Sequence, residues 1–178
     1  MAEIFALQSL FEGLFIKALT PRGAFRDGLR QRGFDVDRPQ LRYPVRVWVE
    51  CVDLAATELH PRLSRAAAWE ALGETFAVGY FQTLIGKMIS AMLPFLSARS
   101  FVLRSPHFIA TGLQNANVEL TWLDDRTARL VISGPGEMAG HLMTGVFRES
   151  FRRLKVRGVK LEARVLGPLD GEIVMTLP

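Results

Sequence analysis

Few residues in this 178-residue chain are of types that do chemistry, and their spacing limits what they can offer. The histidines are His60, His107 and His141, and the one cysteine is Cys51. A metal site needs several nitrogen, sulfur or carboxylate donors converging on one point, commonly His pairs a helical turn apart or Cys pairs two residues apart. No such spacing occurs. His60–Pro61 reads as a helix end, and His141 falls on a helix face with Thr144, Arg148 and Arg152 that is expected to be solvated. His107 follows Pro106 where two parts of the chain join, and it is the histidine with a candidate ligand role. Cys51, between Val49 and Val52, reads as a small buried apolar residue, because a reactive thiol needs positive charge beside it.

The remaining motifs are weaker. Ser133–Gly134–Pro135–Gly136 precedes a helical pattern and could present backbone N–H groups to an anion. It matches neither a phosphate loop nor a dinucleotide fingerprint, so a strand-to-helix connection with proline at the first helical position is expected. Asp124–Asp125 reads as a hairpin turn. No nucleophile elbow is present. Arg148, Arg152, Arg153, Lys155 and Arg157 form the densest basic patch, which could meet phosphate groups. A solvated helix end is the expected role, with cations at the negative pole and Glu149 pairing across one turn. The chain therefore does not read as an enzyme.

The most polar helix face in the first half lies between Phe76 and Leu96. Gly79, Gln82, Thr83, Gly86, Lys87 and Ser90 fall on one side at about 100° per residue. Gly79, Gln82, Thr83 and Gly86, together with His107, are the candidate ligand-binding residues. The alternative is that the glycines admit a neighbouring helix. The same stretch has the ~20-residue length of a membrane span. Lys87 near its middle and Pro94 near its end favour a buried helix, so no membrane span is expected.

These residues need elements to position them. A chain that is 49% hydrophobic and 22% charged can build a real core. The net charge of +4, from 22 basic against 18 acidic residues, is too small to imply nucleic acid as a partner. A single cysteine and the lack of a secretory pattern point to the cytoplasm. Helices are expected over about Glu3–Leu19, from Thr20–Pro21 to Gly33, and over Val45–Leu59. The stretch Ser64–Leu93 is expected to break at Gly73, and a short helix runs from Pro94 to near Leu103, with a loop from Ser105–Pro106. From Asn117 to Leu177 the periodicity switches to strand, strand, helix, strand, strand. Val118, Leu120 and Trp122 share one face, as do Ala128, Leu130 and Ile132. The helix from Pro135 to Leu154 turns Ala139, Met143, Val146 and Leu154 inward. The expected fold class is α+β, a helical N-terminal half packed on a C-terminal antiparallel sheet. It is expected to form one domain over 1–178, with halves 1–106 and 107–178.

A set of short motifs runs through the whole chain. It comprises Leu10–Phe11–Glu12–Gly13–Leu14–Phe15, Tyr43–Pro44 with Trp48, Ala71–Leu72–Gly73, and Gly79–Tyr80 with Thr83 and Gly86. Thr111–Gly112 with Asn115 and Asn117 follows, then Gly140, Gly145 and Gly171. In this order the chain resembles a myxobacterial paralogous family of uncharacterised proteins of about this length. That family is distantly similar to haem-nitric-oxide-binding and 4-vinyl-reductase-type domains, which set a helical half against a strand–strand–helix–strand–strand half. The resemblance implies a cavity between the halves that holds haem or a small hydrophobic ligand. A haem-binding relative has a histidine ligand and a Tyr-x-Ser-x-Arg motif. Here Tyr43 is followed by Pro–Val–Arg and Tyr80 by Phe–Gln–Thr, so haem is not expected.

The expected function is a non-enzymatic sensory or regulatory module, with a small apolar ligand between the halves and a signal passed to a protein partner. The alternative is a ligand-free interaction or scaffold domain, for which a homodimer is expected.

Overall fold

The structure, a computed structural model, describes residues 2–178. It has the α+β architecture expected, with helices in the N-terminal half and an antiparallel sheet in the C-terminal half. The chain opens with strand β1 (Phe5–Leu7), which passes directly into helix α1 (Gln8–Phe11) and a π-helical continuation over Glu12–Leu19. The expectation of one helix from about Glu3 is therefore corrected. Ala6 pairs with Tyr43 of β2 (Arg42–Pro44) on one side and with Leu113 of β3 (Leu113–Gln114) on the other. A short apolar run suits strand or helix equally, and here distant partners decided.

Thr20 does not cap the following helix. It takes a left-handed conformation, φ 45°, and its N–H donates to the Phe15 carbonyl to close the preceding one. Helix α2 (Gly23–Gln31) then ends ahead of Gly33, and α3 (Val45–Leu59) begins directly after Tyr43–Pro44, both as expected.

Helix α4 (Arg65–Tyr80) starts at Ser64, whose hydroxyl accepts the Ala67 N–H. It runs unbroken through Gly73; the break comes at Phe81–Thr83 instead. There Thr83 accepts the Gly86 N–H and caps α5 (Leu84–Met92), which continues as a 3₁₀ turn over Leu93–Phe95. The α4–α5 bend is 93°, and among the described residues no single helix is long and apolar enough to cross a membrane.

Helix α6 (Ala98–Ala110) passes through Pro106, where a loop was expected. Proline removes the hydrogen bond to the carbonyl four residues back. The Ser105 hydroxyl donates to that carbonyl, Val102, at 2.7 Å, which keeps the acceptor satisfied. The helical half thus extends to Ala110, beyond the expected limit at 106.

Strands β4 (Val118–Trp122) and β5 (Thr127–Ser133) form a hairpin across Asp124, which accepts the Arg126 and Thr127 N–H groups. Helix α7 (Glu137–Arg153) crosses over, and β6 (Lys160–Gly167) and β7 (Asp170–Thr176) complete a sheet of order β4-β5-β7-β6, all antiparallel. The register puts Leu120, Leu130, Ile173 and Ala163 in one row on the inner face. The outer face carries Glu172, nearly fully buried because Arg129 bonds it at 2.7 Å and Arg164 lies 4.0 Å away. Buried apolar residues form one cluster from Ala6 to Leu177.

Helix α7 is where the two halves meet. It lies on the sheet through Gly140, against the backbone of Glu172, and crosses α4 through Gly145 against Gly73. A Cβ on Gly73 would stand 2.0 Å from the Leu142 carbonyl oxygen, and one on Gly145 would stand 2.0 Å from that of Glu70. Gly73 is therefore a contact and not a helix break. The face with His141, Thr144 and Arg148, expected to be solvated, packs on α4 because Glu70 and Glu74 meet it there. Thr144 is buried, and Arg148 bonds Glu74 at 2.9 Å and Glu70 at 3.0 Å. His141 Nδ1 lies 3.2 Å from Glu70.

Backbone cannot yield to a methyl group as a flexible side chain can. Gly73→Ala and Gly145→Ala are each expected to cost roughly 3 kcal/mol or more in urea unfolding. Gly167→Ala, with no atom nearer than 4.0 Å, should stay within about 0.5 kcal/mol.

Candidate functional site

The apolar surfaces of α4, α6 and α7 do not close completely on one another. Phe101, Ser105 and Ile109 recur every four residues on one side of α6, and Ala139, Met143, Val146 and Ser150 on one side of α7. Phe76 and Tyr80 come from α4, Ile89 from α5 and Ile132 from β5. Together they line a cavity of about 100 Å³ at the junction of the helical half and the sheet. Its walls are stiff: the Phe101 ring sits edge-on to Phe147 at 5.7 Å and to Phe151 at 5.5 Å.

The hydroxyl groups in this lining are already engaged. Ser105 donates to Val102 and Ser150 to the Val146 carbonyl at 2.8 Å. Thr111 spends its hydroxyl proton on the Phe108 carbonyl at 2.6 Å, so the Tyr80 hydroxyl, 3.1 Å away, is the donor in their contact. Burial raises the Tyr80 phenol above its usual range, partly offset by that bond to Thr111. The cavity therefore presents hydrocarbon and satisfied hydroxyls, which suits an apolar occupant and gives no group set for acid–base or nucleophilic chemistry.

None of the five candidate residues read from sequence lines this cavity. Gly79 is buried against the π-helical segment, and a Cβ there would stand 2.1 Å from the Gly13 carbonyl oxygen. Gly86 packs on the Tyr80 carbonyl, and Thr83 is the α5 cap. Gln82 and His107 are exposed. The polar side of Phe76–Leu96 was thus split by the bend after Tyr80, and its glycines serve close backbone contacts. The inward face read for α7 does supply Ala139, Met143 and Val146 to the wall. The α6 residues were missed because the helix was expected to stop before Ser105. Their four-residue spacing was the available signal.

The basic patch lies at the surface, and three of its five members are paired with carboxylates of this chain. Arg152 meets Glu74 and Glu149, Arg153 donates to Glu149 at 2.9 Å, and Lys155 and Arg157 remain exposed. Among the described residues no group of three or more His, Cys, Asp or Glu is placed to hold a metal ion.

A helical half over a four-stranded antiparallel sheet, with one crossing helix between them, is the fold of H-NOX proteins. The chain is similar to an H-NOX protein from S. oneidensis, described in its Fe(II)NO ligation state, with a TM-score of 0.67, 12% identity and coverage of 97% of this chain and 99% of that one. Its similarity to the H-NOX domain from Shewanella oneidensis in the Fe(II)CO state gives a TM-score of 0.65 at 11% identity, covering 97% and 98%. For the Fe(II) unliganded H-NOX protein from K. algicida the TM-score is 0.62 at 8% identity, covering 97% and 96%. At these identities the likeness shows a shared fold. The chain belongs to the family described as protein of unknown function (DUF2378), whose model matches residues 6–176. No curated protein matches it significantly.

A haem group, which that fold implies, does not fit these residues. No histidine lines the cavity, Cys51 is buried away from it, and Tyr80 is bonded to Thr111. About 100 Å³ is also well below the roughly 300–1,000 Å³ that drug-sized ligands occupy, and a porphyrin is no smaller.

Burial pushes the Cys51 thiol from 9.0 up to about 12, and Tyr43 and Tyr80 shift in the same direction for the same reason. The folded state thus holds these protons more tightly than the unfolded chain. Their contribution to stability is complete below about pH 9 and is lost as pH rises through the folded values. The urea midpoint is expected to fall between pH 9 and pH 11, less steeply in Cys51→Ala. At pH 8 a thiol reagent should label Cys51 only on unfolding.

Proposed function

We propose that this chain acts as one non-enzymatic sensory module, which holds a small apolar molecule between α6 and α7 and passes its occupancy to a protein partner. The observation that carries this is the apolar cavity, whose lining hydroxyl groups are all engaged within the protein. Lining atoms that face an unfilled apolar space have no partner on that side and forgo dispersion contacts. A ligand that fills it recovers that contact energy. An apolar cavity of ~150 Å³ stays dry and takes benzene or xenon, so the occupant is of that size class or smaller. The shared fold with H-NOX proteins supports a role in sensing, and the single buried cysteine suits a cytoplasmic setting.

Occupancy has a physical route outward. The cavity wall on α7 is part of the same helix that crosses α4 at Gly145, so pressure from a ligand on Met143 and Val146 acts on the contact between the halves. The route ends near Arg148 and Arg152, where ion pairs to Glu70 and Glu74 would rearrange.

Xenon under pressure and benzene in solution test this directly. The protein is expected to show a saturable change in the ¹²⁹Xe resonance and a rise in melting temperature with benzene. Ala139→Phe, which fills the cavity, should abolish both while raising or preserving stability. Absence of both responses in the wild type, or their persistence in Ala139→Phe, would leave a ligand-free scaffold as the better account.

A further inference from the structure

Helix α5 is apolar on two sides and buries only one. Gly86 and Ile89 are covered by the body of the protein. On the opposite side Leu84, Met88 and Met92 recur every four residues, and Phe95 continues the row on the 3₁₀ turn. These four are 78%, 65%, 41% and 88% exposed. Single exposed apolar residues are ordinary on a protein surface. Four in register along one projecting helix make a contiguous ridge, which is a mark of an interaction site.

The segment that carries the ridge holds charge of one sign. Between Glu74 and Glu119 the sequence contains no acidic residue, so all 18 of them lie outside this segment. The segment contributes Lys87, Arg99 and Arg104. Lys87 is exposed beside Met88, and Arg104 is exposed on α6 next to Leu103. Arg99 is engaged, donating to the Asp125 carbonyl and lying 4.0 Å from the centre of the Trp122 ring. At the turn that leads into α5, the Arg153 guanidinium covers the Phe81 ring at 4.6 Å, with buried Glu149 as its partner.

We infer that this ridge docks the protein on an anionic lipid surface. Leu84, Met88, Met92 and Phe95 enter the boundary between headgroups and acyl chains, and Lys87 and Arg104 meet the lipid phosphates. An amphipathic segment lying in a membrane interface needs both an apolar face and cations, since either alone gives only weak and reversible attachment. The residues 84–95 span about 18 Å as helix, against ~30 Å of hydrocarbon, so the segment lies on the bilayer and does not cross it. A second copy of the chain is a poorer occupant. It would bring Lys87 up to an identical ridge with no carboxylate, and four side chains cover much less than the roughly 800 Å² per partner of a stable interface. The inference does not depend on what the cavity holds.

Flotation with phosphatidylcholine vesicles, with and without phosphatidylserine, tests it. The protein is expected to bind the phosphatidylserine vesicles, with about tenfold weaker binding to phosphatidylcholine alone and weakening with added salt. Met88→Asp and Phe95→Asp should each reduce binding about tenfold, and Lys87→Glu should weaken it further, because each removes one of the two required signals. Leu41→Asp, at an exposed apolar position outside α5, should bind like the wild type. No flotation on phosphatidylserine vesicles would overturn the proposal, as would unchanged flotation of both ridge variants. A sedimenting dimer that Phe95→Asp converts to monomer, without vesicle binding, would assign the ridge to a second copy and overturn it equally.

Discussion

The crossing of α4 over α7 at Gly73 and Gly145 is the constraint on which the rest of the structure depends. At this point the helices meet backbone to backbone, closer than any side chain would permit. The distance brings Glu70 and Glu74 of α4 within bonding reach of His141, Arg148 and Arg152 of α7. Ion pairs of this half-exposed kind add little each, and geometry is their main effect. They hold α7 in one rotation about its axis, and that rotation decides which of its residues face the sheet and which face the helical half.

With α7 so oriented, it serves three roles at once. Gly140 lets it settle on β7, Gly145 lets it settle on α4, and Ala139, Met143, Val146 and Ser150 line the cavity. Small residues at the two tight contacts and large ones elsewhere leave the helices close at the crossing and apart beside it. The cavity lies beside the crossing for that reason. Phe101 and Phe147 frame one side of it as flat rings meeting edge to face. One wall of the cavity, the contact between the halves and one side of the ionic network therefore all belong to α7.

Much of the fold was legible in local pattern. Alternation in Val118–Trp122 and Thr127–Ser133, the helical spacing of α7, and the starts or stops at Tyr43–Pro44 and Gly33 all correspond to elements at those places. The failures have particular causes. Phe5–Leu7 is too short for a period to show, and its strand state comes from β2 and β3, far away in the chain. Pro106 looked like an end because its effect on the backbone is local, whereas Ser105 cancels that effect through a bond to Val102. Gly73 looked like a break because a glycine costs helix stability in isolation; the compensation is the neighbouring helix it admits. The candidate site was the least legible part. Its residues were sought by polarity and by histidine, while the cavity is built from ordinary core residues that only their arrangement distinguishes.

The sequence by itself determined the order of elements, the class of fold, the inward face of the sheet and part of the inward face of α7, because side-chain periodicity follows directly from backbone geometry. It also determined that no catalytic or metal motif would recur at a recognisable spacing. Only the tertiary structure decided that Gly73 and Gly145 face each other, that Arg148 and His141 meet carboxylates instead of water, and that a void remains between α6 and α7. Each of these depends on the distance between elements far apart in the chain. That distance is set by how closely two helices can approach, a quantity no single stretch of sequence contains.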